Sequence, residues 1–144
     1  MGIAKIQGSH LKVAPAKHSN LLPKPAASQR DVPLVGSSLW AAQRLLEADK
    51  DSIHAFPRYN RTDVTAANSA SAALNKWLRK YVSKGCTVHS FRHSIRDRLR
   101  AVQCPADIAD EIGGWSTEGV GQGYGNGFGL AITHSWLSRA ITSN

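Results

Sequence analysis

Five stretches of the chain place apolar residues three or four positions apart, the spacing of an amphipathic helix. The first follows a Ser-Ser pair that offers an N-cap and runs to about Ala48. The second begins at Ala66 and ends at Gly85, a residue type typical of the C′ position. Between them, residues 51–64 show neither a helical nor an alternating pattern, so we predict a loop. The apolar stripe of the second helix comprises Ala70, Ala73, Leu74, Trp77, Leu78, Tyr81 and Val82.

Three further helices are predicted in the second half of the chain. Pro105 prevents the third helix from continuing and is a favourable residue for opening the fourth, which ends at Gly113-Gly114. The last helix extends from Leu130 to Ile141. The stripe of the third helix is formed by Phe91, Ile95, Leu99 and Val102.

Ahead of the helices, residues 10–13 and 30–35 are short candidate β-strands. The sequence between them is rich in Pro, Ser and Ala. They predict a small β-hairpin with a long connection. The fold class that follows is mainly α, with α+β character from a small hairpin or sheet near the N-terminus. We treat residues 1–144 as a single domain, which suits the length of the chain.

The composition describes a globular chain with enough apolar material for a core. Hydrophobic residues make up 42% and charged residues 19% of the sequence, and no apolar run reaches the length of a membrane span. No secretory signal is recognisable, so we expect a cytoplasmic protein that does not bind membranes. Cys86 and Cys104 form no paired motif and are read as two buried thiols. The six histidines offer no complete ligand set, so no metal site is expected.

Positive charge is concentrated in the middle of the chain. The formal net charge is +8, and residues 75–100 carry eight Lys and Arg against Asp97 alone. Such a concentration favours a phosphate backbone as partner, although two solvated helix faces would give the same pattern. The candidate phosphate-binding residues are Lys76, Arg79, Lys80, Arg96 and Arg100.

Four residues with side chains that could act in catalysis stand at a characteristic spacing. A His-x-x-Arg motif, from His89 to Arg92, is followed after 23 residues by Trp115 and after nine more by Tyr124, which lies between two glycines. Taken singly, these residues have simpler explanations: a surface histidine, a solvated arginine, a core tryptophan and a loop tyrosine. Together, over residues 10–140, the pattern resembles the catalytic domain of the tyrosine recombinases, the phage integrase family.

The chemistry of these side chains suits phosphodiester cleavage. Tyr124 can attack phosphorus, and because a phenol ordinarily titrates near pH 10, it needs a base or a cationic field such as His89 and Arg92 would supply. Arg92 offers paired N–H donors to the phosphate, and the Trp115 indole can only donate. The resemblance places Lys24 near the hairpin turn, where the family keeps a lysine that protonates the leaving oxygen.

The resemblance also implies partners and a reaction course. Tyr124 would become joined to a 3′ phosphate of double-stranded DNA, without a metal or other cofactor, and the protein would self-associate on DNA, as a tetrameric synapse in the full-length protein. It would be a bacterial or phage-encoded protein associated with the nucleoid.

Two features of the family have no counterpart in this sequence. The first catalytic Arg, in a Gly-x-Arg-x-x-Glu-like motif ahead of the hairpin, is missing, and so is the N-terminal DNA-binding domain. We therefore expect a C-terminal portion of a recombinase, impaired on its own. The alternatives are a non-catalytic DNA-binding remnant of an integrase and a basic interaction protein with no role on DNA.

Overall fold

The computed structural model describes residues 2–7, 10–15, 30–48, 54–60, 66–115 and 127–142. The chain divides into two compact units. The first unit combines Met1–Ala42 with Arg96–Asn144, and the second comprises Gln43–Ile95. Within the described ranges, no helix combines the length and the apolarity that crossing a bilayer requires.

A three-stranded antiparallel sheet belongs to the first unit. Its strands are β1 (Gly2–Gln7), β2 (His10–Pro15) and β3 (Arg30–Pro33), in the order β1-β2-β3. The pairing of β2 with β3 sets Leu11 opposite Val32 and is the predicted hairpin. Strand β1 is an addition that the sequence did not indicate, because its six residues show no clear alternation and gain their hydrogen bonds from β2.

The rest of the described structure is mostly helical, as predicted. The helices are α1 (Ser37–Ala48), α2 (Ala67–Leu78), α3 (Ser90–Ala101), α4 (Ala106–Gly113) and α5 (Leu130–Thr142). Residues 54–60, the described part of the predicted loop, form turns in which the N–H groups of Tyr59 and Asn60 both donate to the Phe56 carbonyl, at 3.0 and 3.1 Å.

One predicted helix end and one predicted cap are wrong. Helix α2 ends at Leu78 and not at Gly85, because the N–H groups of Lys80 and Tyr81 donate to carbonyls only three residues back, which tightens the last turn. At the start of α1, the Ser38 hydroxyl does not bond forward into the helix. It accepts from the Val35 N–H at 3.0 Å and donates to the Val35 carbonyl at 2.7 Å, so it fixes the turn before the helix.

The corner between α3 and α4 is closed by backbone hydrogen bonds. Gln103 adopts a left-handed conformation with φ of 59°, and its N–H donates to the Arg100 carbonyl at 2.9 Å. The next N–H, of Cys104, donates to the Leu99 carbonyl, also at 2.9 Å. These two bonds are the Schellman pattern, after which Pro105 precedes α4 as predicted.

The core of the first unit lies where α4 and α5 pack on β3. Its fully enclosed side chains include Leu99 at 0% and Ala140 at 1% exposure, with Leu34, Ile108, Ile112 and Leu137 nearly as buried. On α5, the buried face is Thr133, Leu137 and Ala140, and Ile132, part of the predicted apolar stripe, is exposed. The buried Thr133 hydroxyl is satisfied because it donates to the Leu130 carbonyl at 3.2 Å.

The second unit buries little of the apolar stripe predicted for it. Among its described residues, Leu78 is the buried one. The other large members of that stripe are exposed: Leu74, Trp77, Tyr81 and Val82. An apolar stripe on a helix ordinarily faces a core, but the side chains of these four residues do not.

We predict that Leu99→Ala destabilises the protein by about 2–5 kcal/mol, because it removes a fully buried side chain and leaves a cavity. Phe91→Ala is the matched control on the same helix: Phe91 is 62% exposed, and we expect a change within about 0.5 kcal/mol. Urea unfolding followed by circular dichroism measures both, and equal losses would contradict the burial described for α3.

Candidate functional site

The C-terminal end of α4 fixes the backbone of Trp115. Gly114 is left-handed with φ of 59°, and its N–H donates to the Glu111 carbonyl at 3.2 Å. The Trp115 N–H donates to the Asp110 carbonyl at 2.9 Å, which completes a second Schellman pattern. The indole ring then lies against Gly113, where an added Cβ would overlap it.

Arg30, from strand β3, closes the same helix end. Its Nε donates to the Ile112 carbonyl and its Nη2 to the Gly113 carbonyl, each at 3.2 Å. A cation at this end of a helix also interacts favourably with the helix dipole. Gly114 is strained for other residues because of its positive φ, and a Cβ there would also displace the Arg30 guanidinium from the helix end.

Arg96 lies over the Trp115 ring and pairs with the Asp110 carboxylate. The Arg96 guanidinium carbon lies 5.1 Å from the ring centroid, and Arg96 Nη2 lies 4.0 Å from Asp110 Oδ1. The Asp110 side chain is only 7% exposed, whereas that of Arg96 is 41% exposed. Arg96, predicted as a phosphate-binding residue, is thus engaged with a carboxylate and an aromatic face of its own unit.

The segment that carries Tyr124 is anchored to α4 at both of its described ends. Before the segment, the Trp115 N–H donates to the Asp110 carbonyl. After it, the Phe128 N–H donates to Glu111 Oε2 at 2.8 Å. Tyr124 itself lies outside the described residues, as does Lys24. The two anchors, Asp110 and Glu111, are neighbours in the last turns of one short helix.

His89 and Arg92 lie at the start of α3, in the second unit. The Arg92 N–H donates to the His89 carbonyl at 3.0 Å, and Ser90 Oγ accepts the Thr87 N–H at 3.0 Å, so the first turn is well defined. The exposed His89 ring lies 5.1 Å from the His93 ring, nearly edge to face. No acidic residue is present in this first turn.

The other predicted phosphate-binding residues are exposed and differ in their surroundings. Lys76, Arg79 and Lys80 lie at the end of α2 in the second unit. Arg100 belongs to the first unit and forms an exposed ion pair with Asp97 at 3.5 Å. The structure therefore brings three of the five cations together at one helix end.

The two thiols differ from each other. Cys86 is exposed, so the reading of two buried thiols is wrong for it, because it lies in the exposed turn that follows α2. Cys104 is partly buried, and this burial, with a smaller contribution from the Asp107 carboxylate, raises the pKa of its thiol. Among the described residues, no three His, Cys, Asp or Glu side chains are grouped so that they could hold a metal ion.

Sequence reasoning missed Arg30, Asp110 and Glu111 as residues that position the site. Each acts on a partner that no local pattern indicates: Arg30 bonds to carbonyls 82 and 83 residues away. The only local signal was the Gly-Gly pair before Trp115, which indicates a left-handed helix end and hence a fixed tryptophan backbone.

The chain was compared with known protein families, curated proteins and solved structures. The chain matches no protein-family model, no curated protein and no solved structure.

We predict that Gly114→Ala destabilises the protein by about 1–3 kcal/mol, because alanine is strained at positive φ and its Cβ meets the Arg30 guanidinium. Two other glycine substitutions separate backbone strain from the overlap with Arg30. Gly85→Ala tests backbone strain alone, because Gly85 has φ of 99° and open space around it. Gly129→Ala is the control for both effects, because no positive φ and no close neighbour is found there.

Urea unfolding of these variants and of the double variant with Arg30→Ala measures the contact. We expect the double variant to show a coupling of about 0.5–3 kcal/mol. Additive effects of the two substitutions would contradict the contact between Arg30 and the end of α4.

Proposed function

We propose that this protein cleaves and rejoins DNA strands through a 3′-phosphotyrosine at Tyr124, as a recombinase of the integrase type. The observation that carries the proposal is the spacing of His89, Arg92, Trp115 and Tyr124. The local structure around three of these four residues supports it, because each is held in a way that suits binding of a phosphate.

The start of α3 is suited to an anion. The positive end of the helix dipole, Arg92 and His89 all belong to this turn, and the first turn of α3 contains no acidic residue. A helix N-terminus favours negative charge, so a phosphate bound here would interact favourably with the helix end and with the arginine.

The end of α4 is suited to holding a donor still. The Trp115 indole N–H can donate to a non-bridging phosphate oxygen, and it cannot accept or transfer a proton at neutral pH. Its backbone is fixed by Gly114 and Asp110, and its ring lies beside Arg96. Preorganised donors of this kind contribute most to catalysis when they do not have to reorient during the reaction.

In the proposed reaction, the Tyr124 oxygen attacks phosphorus while the bond to the 5′ oxygen breaks. His89 takes the phenolic proton, Arg92 and Trp115 bind the non-bridging oxygens, and Lys24 gives a proton to the departing 5′ oxygen. The phosphotyrosine keeps the bond energy, so a 5′ hydroxyl of another strand can reverse the step. Exposed cations such as Lys76, Arg79, Lys80 and Arg100 would bind flanking phosphates of the duplex.

The wider biological setting belongs to the same proposal. Recombination joins two duplexes, so the protein would self-associate on DNA, and its place of action would be the cytoplasm, at the nucleoid.

We predict that the protein forms a covalent adduct with nicked duplex DNA in which cleavage next to the nick releases a short strand. Loss of that strand traps the phosphotyrosine, so even slow cleavage accumulates. A pool of duplexes with randomised sequence avoids the need to know the target, and denaturing electrophoresis detects the adduct.

Tyr124→Phe should abolish the adduct, and Tyr59→Phe, a second tyrosine in a described turn, should not. Salt-dependent duplex binding should persist in both variants, because the cations are unchanged. Binding without any adduct from the unsubstituted protein would contradict the proposal and favour the non-catalytic DNA-binding remnant.

A further inference from the structure

Three aromatic side chains of the second unit are largely exposed. The exposed fractions are 56% for Trp77, 69% for Tyr81 and 62% for Phe91. Large aromatic side chains account for much of the binding energy at interfaces, and a group of them on a surface marks an interaction site. Nothing in the proposed cleavage chemistry uses these three residues.

Two of these rings pack against each other, and hydrogen bonds connect α2 to the turn that leads to the third residue, Phe91. The rings of Trp77 and Tyr81 lie 4.9 Å apart between centroids, inclined at 48°. The Asn75 carboxamide joins α2 to the following turn, because its Oδ1 accepts the Val88 N–H at 2.8 Å. The Phe91 N–H in turn donates to the Val88 carbonyl at 3.3 Å, so Phe91 is hydrogen-bonded to the same residue that Asn75 binds.

The stretch of sequence that carries these rings has only positive charge. Residues 67–95 contain no Asp or Glu. Three of the cations, Lys76, Arg79 and Lys80, are interleaved in sequence with Trp77 and Tyr81 and are exposed. The partner must therefore offer negative charge and flat apolar groups together.

We propose that this basic aromatic surface, formed by Lys76, Trp77, Arg79, Lys80 and Tyr81, binds single-stranded DNA. Its cations bind the phosphates, and Trp77 and Tyr81 stack on unpaired bases. A duplex would satisfy the charge alone, because its bases are stacked on one another and present only their edges. The inference goes beyond the proposed function, since it does not involve Tyr124; only the choice of DNA over RNA rests on that function.

The experiment uses the full chain with Tyr124→Phe, so that cleavage cannot contribute. Fluorescence anisotropy compares a short oligothymidine with an abasic strand of the same length, which keeps every phosphate and lacks the bases. We expect the oligothymidine to bind about 5- to 150-fold more tightly, the equivalent of one stacked base. A uridine RNA of the same length should bind no more tightly than the oligothymidine.

Trp77→Ala and Tyr81→Ala should each remove most of that preference and leave the salt dependence unchanged, because the cations remain. Trp77→Phe should restore it, since phenylalanine keeps an aromatic face. Trp40→Ala is the matched control: Trp40 is 61% exposed but lies on α1, in the other unit. The three side chains exchanged in these four variants are exposed, and circular dichroism verifies that the variants stay folded.

Three results would overturn the inference. The first is equal affinity for the abasic strand and the oligothymidine, and the second is tighter binding to RNA than to DNA. The third is a different use of Trp77: Trp77→Ala abolishes concentration-dependent self-association, or capture by anionic phosphatidylserine vesicles, while binding to the DNA strand persists. None of these bears on the adduct at Tyr124, so the two proposals fail separately.

Discussion

The contact between Arg30 and the end of α4 organises the first unit. One guanidinium binds the carbonyls of Ile112 and Gly113, and so ties strand β3 to a helix more than eighty residues later in the chain. The free carbonyls at a helix end need partners, and a side chain that supplies two donors also opposes the negative end of the dipole. A Cβ at Gly114 would displace the Arg30 guanidinium from this helix end. From that point, the backbone leads directly into Trp115.

Helix α4 thus fixes both flanks of the segment that holds Tyr124. Asp110 binds the outgoing backbone at Trp115, and the Glu111 carboxylate binds the returning backbone at Phe128. Asp110 also pairs with Arg96, the cation beside the Trp115 ring. A short helix therefore holds Trp115, one proposed phosphate donor, and binds the described backbone on either side of residues 116–126.

The sequence predicted the helices well and their surroundings poorly. Apolar periodicity found all five helices, and Pro105 and the Gly-Gly pair marked the bounds of α4, because these signals are local. Periodicity identifies residues that share a face, but it does not say what covers that face. Leu99 and Phe91 belong to one stripe, yet the first is enclosed and the second exposed.

Some residues of the candidate site could likewise be identified from local sequence, and others could not. His89, Arg92, Trp115 and Tyr124 stand out by spacing alone, whereas Arg30 and Glu111 act at long range and leave no local trace. Arg96 illustrates the limit of charge counting, because its guanidinium is engaged with Asp110. The aromatic residues beside Lys76 and Lys80 belong to an apolar stripe of the kind that is usually buried, and periodicity gave no sign that they are exposed.

The central claim is that Tyr124 is the residue that becomes joined to DNA. The most direct measurement is mass spectrometry of the covalent adduct after digestion with protease and nuclease, which identifies the peptide and the residue that carry the remaining nucleotide. The account predicts a single modified residue, Tyr124, linked through a 3′ phosphate. A nucleotide on any other residue, or a linkage through a 5′ phosphate, would contradict it.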